Sequence, residues 1–376
     1  MIEIFRKYLD LDWVLFLATL PLLAFGLVTM SSFTADQYHF DRQLIWIAIS
    51  LAVFLLCSFV DWRFLRRSGM IASLYLIFIV VLSSLFVLGT VAKGAKSWFM
   101  IGGAGVEPAD FMRIVMIAML AKYFSRRHVE IAHIRHIIVS GLYALVPFIL
   151  ILLQPDFGSA IIIFFIWLGL IMVSGVSKKH LFAVVAIGVL SFSLAWLFVF
   201  QPYQKDRIKT FIHPLADVRG AGYNAFQSTI AVGSGQFFGK GVGYGTQSRL
   251  KFLPEYQTDF IFAAFAEEWG FFGVILVILL FGLIIWRLFA NAFLAASNFE
   301  TLFSVGVAIY IMSHFIIHVG MNIGLLPVTG LPLPFMSYGG SHLLTEFIGL
   351  GIVSGMRRYS LVFHREDVHN EFVGPQ

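Results

Sequence analysis

Ten apolar runs, each long enough to cross a bilayer, leave this 376-residue chain almost no way to fold in water. They fall near residues 13–33, 43–60, 69–90, 107–124, 137–153, 157–175, 180–200, 259–286, 301–322 and 338–356. With 59% hydrophobic and only 12% charged residues, a soluble domain of this size could not cover its own surface. The chain is therefore read as an all-α polytopic membrane protein of about ten transmembrane helices. One integral-membrane domain is expected over residues 1–376, with a large extracytoplasmic loop at 201–258 between helices seven and eight. The first run lacks a small-residue cleavage pattern and is expected to remain as a span. The single cysteine, Cys57, excludes a disulfide framework and reads as a core thiol.

Ten spans place both termini on one side, and the positive-inside rule says which. Arg6 and Lys7, Arg63, Arg66 and Arg67, then Lys122, Arg126, Arg127 and Arg135 fall on one face, with Lys178, Lys179, Arg287, Arg357, Arg358 and Arg365. Cytoplasmic termini make every short inner loop cationic. The remaining cations are Arg42, Lys93, Lys96 and Arg113, together with Lys205, Arg207, Lys209, Arg219, Lys240, Arg249 and Lys251 of the long loop. They read either as a solvated basic surface or as an outward pocket for phosphate groups.

Several polar features at membrane depth favour a pocket. Asp259 lies in FLPEYQTDFIFAAFAEEWGFFG, where a polar loop runs straight into an apolar helix. A carboxylate there is costly to desolvate and calls for a role in folding or chemistry. In GVEPADFMRI, Pro108 marks a helix start, and Asp110 and Arg113 share one face at i, i+3. In LLQPDFGSA, Gln154 and Asp156 sit in a tight turn between spans. Glu267 and Glu268 lie two turns beyond Asp259, with Glu267 roughly beneath it. In LLPVTGLPLPFMSYGGSHLL, three prolines and Gly339–Gly340 interrupt the backbone, which at this depth requires a surrounding cavity or protein.

Two other chemistries do not fit. The stretch AVGSGQFFGKGVGYGTQS is glycine-rich, but Gly235 and Gly239 are separated by three residues and Lys240 is followed by Gly241, so it is no phosphate-binding loop. His128, His133 and His136 lack ligand partners at metal spacing and read as a solvated cationic face. His318 and His342 read first as hydrogen-bonded buried histidines.

These motifs resemble those of the shape, elongation, division and sporulation family, the peptidoglycan glycosyltransferases typified by RodA and FtsW. The resemblance runs through GAKSWFMIGG, EPADFMR, LLQPDFGSA, the long stretch from RGAGYNAFQS to EEWGFFG, and LLPVTGLPLPFMSYGGS. GTQS followed by LKFLPE is similar to the RodA-like, elongation branch. The resemblance implies polymerisation of lipid II on the outer face of the cytoplasmic membrane, with a class B penicillin-binding protein as partner. It implies Asp259 as general base, drawing the proton from the acceptor 4-hydroxyl during inverting attack, with undecaprenyl pyrophosphate released. Lys96, Arg113, Arg207, Lys240 and Arg249 are candidates to offset the leaving group's charge, and a divalent ion, Mg or Mn, is a candidate helper. Trp98, Asp110, Gln154, Asp156, Gln227, Gln247, Glu255 and Ser337 complete the expected substrate-binding set. No organic cofactor and no nucleic acid are implied.

The chain departs from the family where Gln-Pro-Ser-Glu and a following Lys are usual. It has Glu107, Pro108, Ala109, Asp110 and Arg113 instead. The pair keeps its signs and spacing, but a guanidinium does not deprotonate, which removes a proton-transfer role at that position. Ser97 and His318 stand where Arg and Asn are usual. An FtsW-like division polymerase, a flippase for polyprenyl-linked lipids and a silent scaffold are the other readings. A flippase would bring repeat symmetry between the two halves, and none is visible.

Overall fold

A computed structural model describes residues 11–32, 37–66, 69–92, 95–102, 104–126, 134–198, 200, 202–212, 221–250, 252–253 and 255–371. Its helices are α1 (Trp13–Ser31), α2 (Gln37–Phe59), α3 (Met70–Leu88), α4 (Pro108–Ser125), α5 (Ile134–Leu153), α6 (Phe157–Val173) and α7 (Lys178–Phe198). There follow α8 (Pro202–Ile212), α9 (Ala221–Ser234), α10 (Thr246–Arg249), α11 (Ile261–Phe293), α12 (Asn298–Asn322) and α13 (Gly340–Glu371). Among the described residues, seven helices are long and apolar enough to cross a membrane, and α6 is a shorter apolar helix.

Four of the helices start on a clear local signal. Asp12 caps α1 by accepting from Leu15 N, Asp156 caps α6 by accepting from Ser159 N, and Ser297 caps α12 by accepting from Glu300 N. Pro108 opens α4 at the position where its missing N–H is not needed. α12 and α4 form the centre of the bundle and bury most of their side chains. Small residues bring the helices close: Gly306 of α12 faces Ile117 of α4, Gly169 of α6 faces Ile309 of α12, and Gly351 of α13 faces Phe54 and Cys57 of α2. Cys57 is half-buried at that last contact rather than wholly within the core.

The all-α expectation misses a three-stranded antiparallel sheet: β1 (Thr90–Ala92), β2 (Ala95–Ile101) and β3 (Ala104–Val106), in the order β1-β2-β3. Trp98, Phe99 and Ile101 favour strand, and Gly102, with φ +58°, turns the β2–β3 hairpin. The connection at 201–258 also contains α8, α9 and α10, so much of it is ordered as helix. His136 is buried on α5, with its Nδ1 3.0 Å from Tyr123 Oη, and is not a solvated residue. His128 and His133 lie outside the described residues.

The glycine-rich segment forms a hook against α11. Lys240 N donates to Glu267 O and Gly241 N to Glu268 O, at 2.9 and 3.0 Å. α11 breaks at Gly270 (φ +64°), where Phe271 N and Phe272 N turn outward to Gln236 O and Phe237 O. A Cβ on Gly239 (φ +77°) would stand 2.0 Å from Glu268 O. Gly239→Ala is therefore expected to destabilise by about 2–4 kcal/mol, combining left-handed strain with overpacking. The apparent unfolding temperature in detergent measures this, against Gly282→Ala as control, since nothing lies within 4 Å of a Cβ there.

At the opposite end of α11, one carboxylate fastens three helices. Asp12 Oδ1 lies 2.8 Å from Arg287 Nε of α11, and Asp12 Oδ2 lies 2.8 Å from Arg357 Nη1 of α13. Asn291 Nδ2 adds a donor at 2.6 Å, and Asp12 N donates to Ser354 Oγ. With its charge matched and its lone pairs filled, Asp12 can stay wholly buried.

Candidate active site

Asp259 occupies the turn that opens α11. The N–H groups of Thr258, Asp259 and Phe260 all point to Glu255 O, at 3.1, 3.1 and 3.2 Å. Glu255 holds φ +53°, a left-handed conformation unusual for its type, and its carboxylate accepts from Thr258 Oγ1 at 3.0 Å. The turn is tied to the segment before α13: Ser337 Oγ donates to Thr258 O at 2.7 Å, and Tyr338 N donates to Gln257 O at 2.8 Å. Ser337 thus binds backbone on both sides, since it also accepts from Leu333 N.

The Asp259 carboxylate faces the broken segment 327–339. Gly330 (φ +78°) brings bare backbone beside it, so that a Cβ there would stand 3.6 Å from Oδ2. On its other side this segment touches α6, where a Cβ on Gly158 would meet Thr329 O at 3.0 Å. The half-buried Asp259 therefore shares a wall with the start of α6, where Asp156 is the helix cap.

Next to that wall lies a buried ionic network spanning four helices. Arg113 is 1% exposed; its Nη1 pairs with Asp110, and its Nη2 donates to Ser159 Oγ at 2.7 Å. Ser159 Oγ donates on to Glu107 Oε1 at 2.9 Å, while Ser341 Oγ donates to Asp110 Oδ2 at 2.7 Å. His342 Nδ1 lies 3.5 Å from Asp110 Oδ1, and its Nε2 lies 2.8 Å from Glu346 Oε1. Glu346 Oε2 accepts Phe335 N at 3.0 Å, which returns the network to the broken segment. Tyr310 Oη lies 3.5 Å from His342 Nδ1, and the His314 ring packs on that of His342 at 4.6 Å; with Ser159 and Glu346 they are members that sequence reasoning missed. Glu346 carries the clearest missed signal, as the lone acid in the apolar run 338–356.

The other expected site residues are placed as follows. Gln154 is buried and its Nε2 donates to Leu82 O at 2.9 Å, fastening the α5–α6 turn to α3. Lys96 Nζ donates to Phe86 O at 2.7 Å, and the Trp98 ring packs over Gly105. Lys240 Nζ lies 2.7 Å from Glu267 Oε1, and the same carboxylate accepts from Thr246 Oγ1 and Gln247 N. Glu268 Oε1 accepts from Gly243 N, so both carboxylates anchor the glycine hook. Gln227 is half-buried on α9, and Arg249 is exposed at the end of α10. The Arg207 side chain lies outside the described residues. Among the described residues, no three His, Cys, Asp or Glu side chains come together as a metal site.

The signature of the FtsW, RodA and SpoVE cell cycle proteins matches residues 11–361 of this chain. The chain belongs to that family. It is 35% identical to stage V sporulation protein E of Bacillus subtilis, over 93% of this chain and 97% of that one. It is 33% identical to peptidoglycan glycosyltransferase MrdB of Escherichia coli, over 94% and 95%. Among solved structures, it is similar to the rod shape determining protein RodA of Thermus thermophilus, with TM-score 0.71 and 29% identity over 94% of this chain and 98% of that one. A structure described as "Structural coordination of polymerization and crosslinking by a peptidoglycan synthase complex" matches with TM-score 0.80 and 29% identity, over 93% and 98%. As a member of the FtsW/RodA/SpoVE family, the chain is a multi-pass membrane protein.

Proposed function

We propose that the chain is a peptidoglycan glycosyltransferase that polymerises lipid II into β-1,4 glycan strands at the outer face of the cytoplasmic membrane, in support of cell elongation. The carrying observation is Asp259 at the mouth of α11, in a chain related over nearly its whole length to peptidoglycan glycosyltransferases. Ten spans, cytoplasmic termini and an extracytoplasmic 201–258 connection make the Asp259 end outward. The apolar helices and the cationic short loops support this arrangement.

In this reading Asp259 takes the proton of the acceptor sugar's 4-hydroxyl as that oxygen attacks the donor's anomeric carbon. The new C–O bond forms opposite the breaking bond to pyrophosphate, so the α-linkage becomes β and undecaprenyl pyrophosphate departs with the bonding pair. Glycine at 330 keeps a side chain away from the carboxylate. Arg249 is exposed and pairs with no described residue, which suits it to meet the departing phosphates. Arg113 and Lys240 are held in ion pairs, so their part is to keep the walls of the site in place. The partner is a class B penicillin-binding protein, consistent with the polymerisation–crosslinking complex that the chain resembles.

The test is purified protein with its penicillin-binding partner, the transpeptidase blocked, given lipid II in detergent and in vesicles. Glycan strands on a gel are the expected product. Transfer of lipid II between leaflets without strands would instead establish the flippase reading.

A further inference from the structure

His318 and Asn322 stand one turn apart on α12, both wholly buried, and reach different walls of the Asp259 site. His318 Nδ1 lies 2.7 Å from Leu331 O; a carbonyl only accepts, so Nδ1 carries the proton. Nε2 is then a bare acceptor, buried and without a hydrogen-bond partner among the described residues. Asn322 Nδ2 donates to Asp259 O at 3.1 Å and to His318 O at 2.8 Å, while its Oδ1 accepts from Ala263 N at 3.2 Å.

The segment that His318 touches makes few backbone hydrogen bonds of its own. Pro327, Pro332 and Pro334 have no N–H to give, and among the described residues 327–334 form neither helix nor strand. Side chains hold it instead: His318 on Leu331 O, His314 on Pro332 O at 3.3 Å, Ser337 on Leu333 N at 2.8 Å and Glu346 on Phe335 N at 3.0 Å. Of these contacts, the one from His318 lies nearest to Gly330, whose backbone borders the Asp259 carboxylate.

We propose that His318 is a positioning residue for Asp259. Through Leu331 O it fixes the backbone wall beside the carboxylate, while Asn322 fixes the carbonyl of Asp259 itself. One turn of α12 thereby sets the gap in which the acceptor hydroxyl must meet its base. The inference rests on the assignment of Asp259 as that base. The competing account is a histidine that does no more than satisfy a buried carbonyl, in which case any folded variant keeps normal kinetics.

The two accounts separate on which atom matters. The Nδ2 of Asn occupies the branch of histidine Nδ1, whereas the amide of Gln reaches toward Nε2. His318→Asn and His318→Gln are compared in the full-length protein with its penicillin-binding partner, transpeptidase blocked, on lipid II. His318→Asn is expected to stay within about threefold of wild type, and His318→Gln to lose roughly tenfold or more in kcat with KM within about twofold. Unfolding temperatures should stay near wild type for both. Asn322→Ser, which releases Asp259 O, is expected to lower kcat in the same way. Wild-type kcat in His318→Gln or Asn322→Ser overturns the proposal, as does a loss that is equal in the Asn and Gln variants and follows their unfolding temperatures. Asp259→Asn is run alongside. If it polymerises normally, the base assignment fails and takes this inference with it. If it is inactive while His318→Gln is kinetically normal, this inference fails alone.

Discussion

Asp259→Asn is expected to reduce lipid II polymerisation by roughly 10²–10⁴, the usual contribution of a positioned general base. Asparagine matches aspartate in size and cannot take the proton. The contacts that build the turn are unaffected, because Asp259 N donates to Glu255 O and Asp259 O accepts from Asn322, both through backbone atoms. Unfolding temperature and co-purification with the partner should therefore remain at wild-type values while strands disappear from the gel. Strands of normal yield from Asp259→Asn would make this carboxylate structural and remove the base from the mechanism.

The second large effect is expected at Arg113. Its guanidinium is buried against Asp110 on its own helix, Ser159 on α6 and His342 on α13, the last at 3.5 Å. Arg113→Ala would strand the buried Asp110 charge without its closest counter-charge, with an expected loss of about 3–5 kcal/mol. The apparent unfolding temperature should fall, and polymerisation with it, since the same network holds Phe335 through Glu346. Pairing Asp110→Leu with Arg113→Met removes both charges of the tightest pair and should restore part of the stability lost in Arg113→Ala. Arg113→Lys keeps the charge but not the fork, and an ammonium cannot reproduce its fixed geometry toward Asp110 and Ser159. Its expected stability lies between wild type and Arg113→Ala. If Arg113→Ala unfolds at the wild-type temperature, the network contributes nothing to holding α4, α6 and α13 together.

Hydropathy makes most of the bundle readable, because runs such as 69–90 and 301–322 have no alternative to a lipid-facing or buried helix. It loses the end of α13, which continues as helix to Glu371 well past the apolar boundary near 356, where intrahelical bonding no longer depends on apolar side chains. The sheet at 90–106 is hidden for a different reason: its strands are short, and their apolar residues merge with the neighbouring spans. In the site, the i, i+3 spacing of Asp110 and Arg113 is enough to foresee their contact. Ser341 and His342 reach Asp110 from more than 230 residues away, and no local pattern encodes that meeting. Lys240 shows the same limit from the other side. Its basicity is plain in the sequence, but Glu267, its partner, is distant in sequence and close only because the glycine hook folds back on α11.

The Asp12 clamp makes the bundle a set of levers with a common fulcrum. α1 runs 19 residues from that point, about 28 Å at helical rise, and α11 and α13 are fastened there through Arg287 and Arg357. A tilt of about 5° around the fulcrum moves the far end of such a rod by roughly 2.5 Å, a large displacement where chemistry tolerates about 1 Å. Mechanical advantage therefore runs along α1 from Asp12 toward Gly26, which packs against Met336 of the broken segment: a small slackening of the ion pairs with Arg287 and Arg357 is magnified there. A carboxylate at one end of α1 thus steadies, in the proposed function, a wall of the site near the other end.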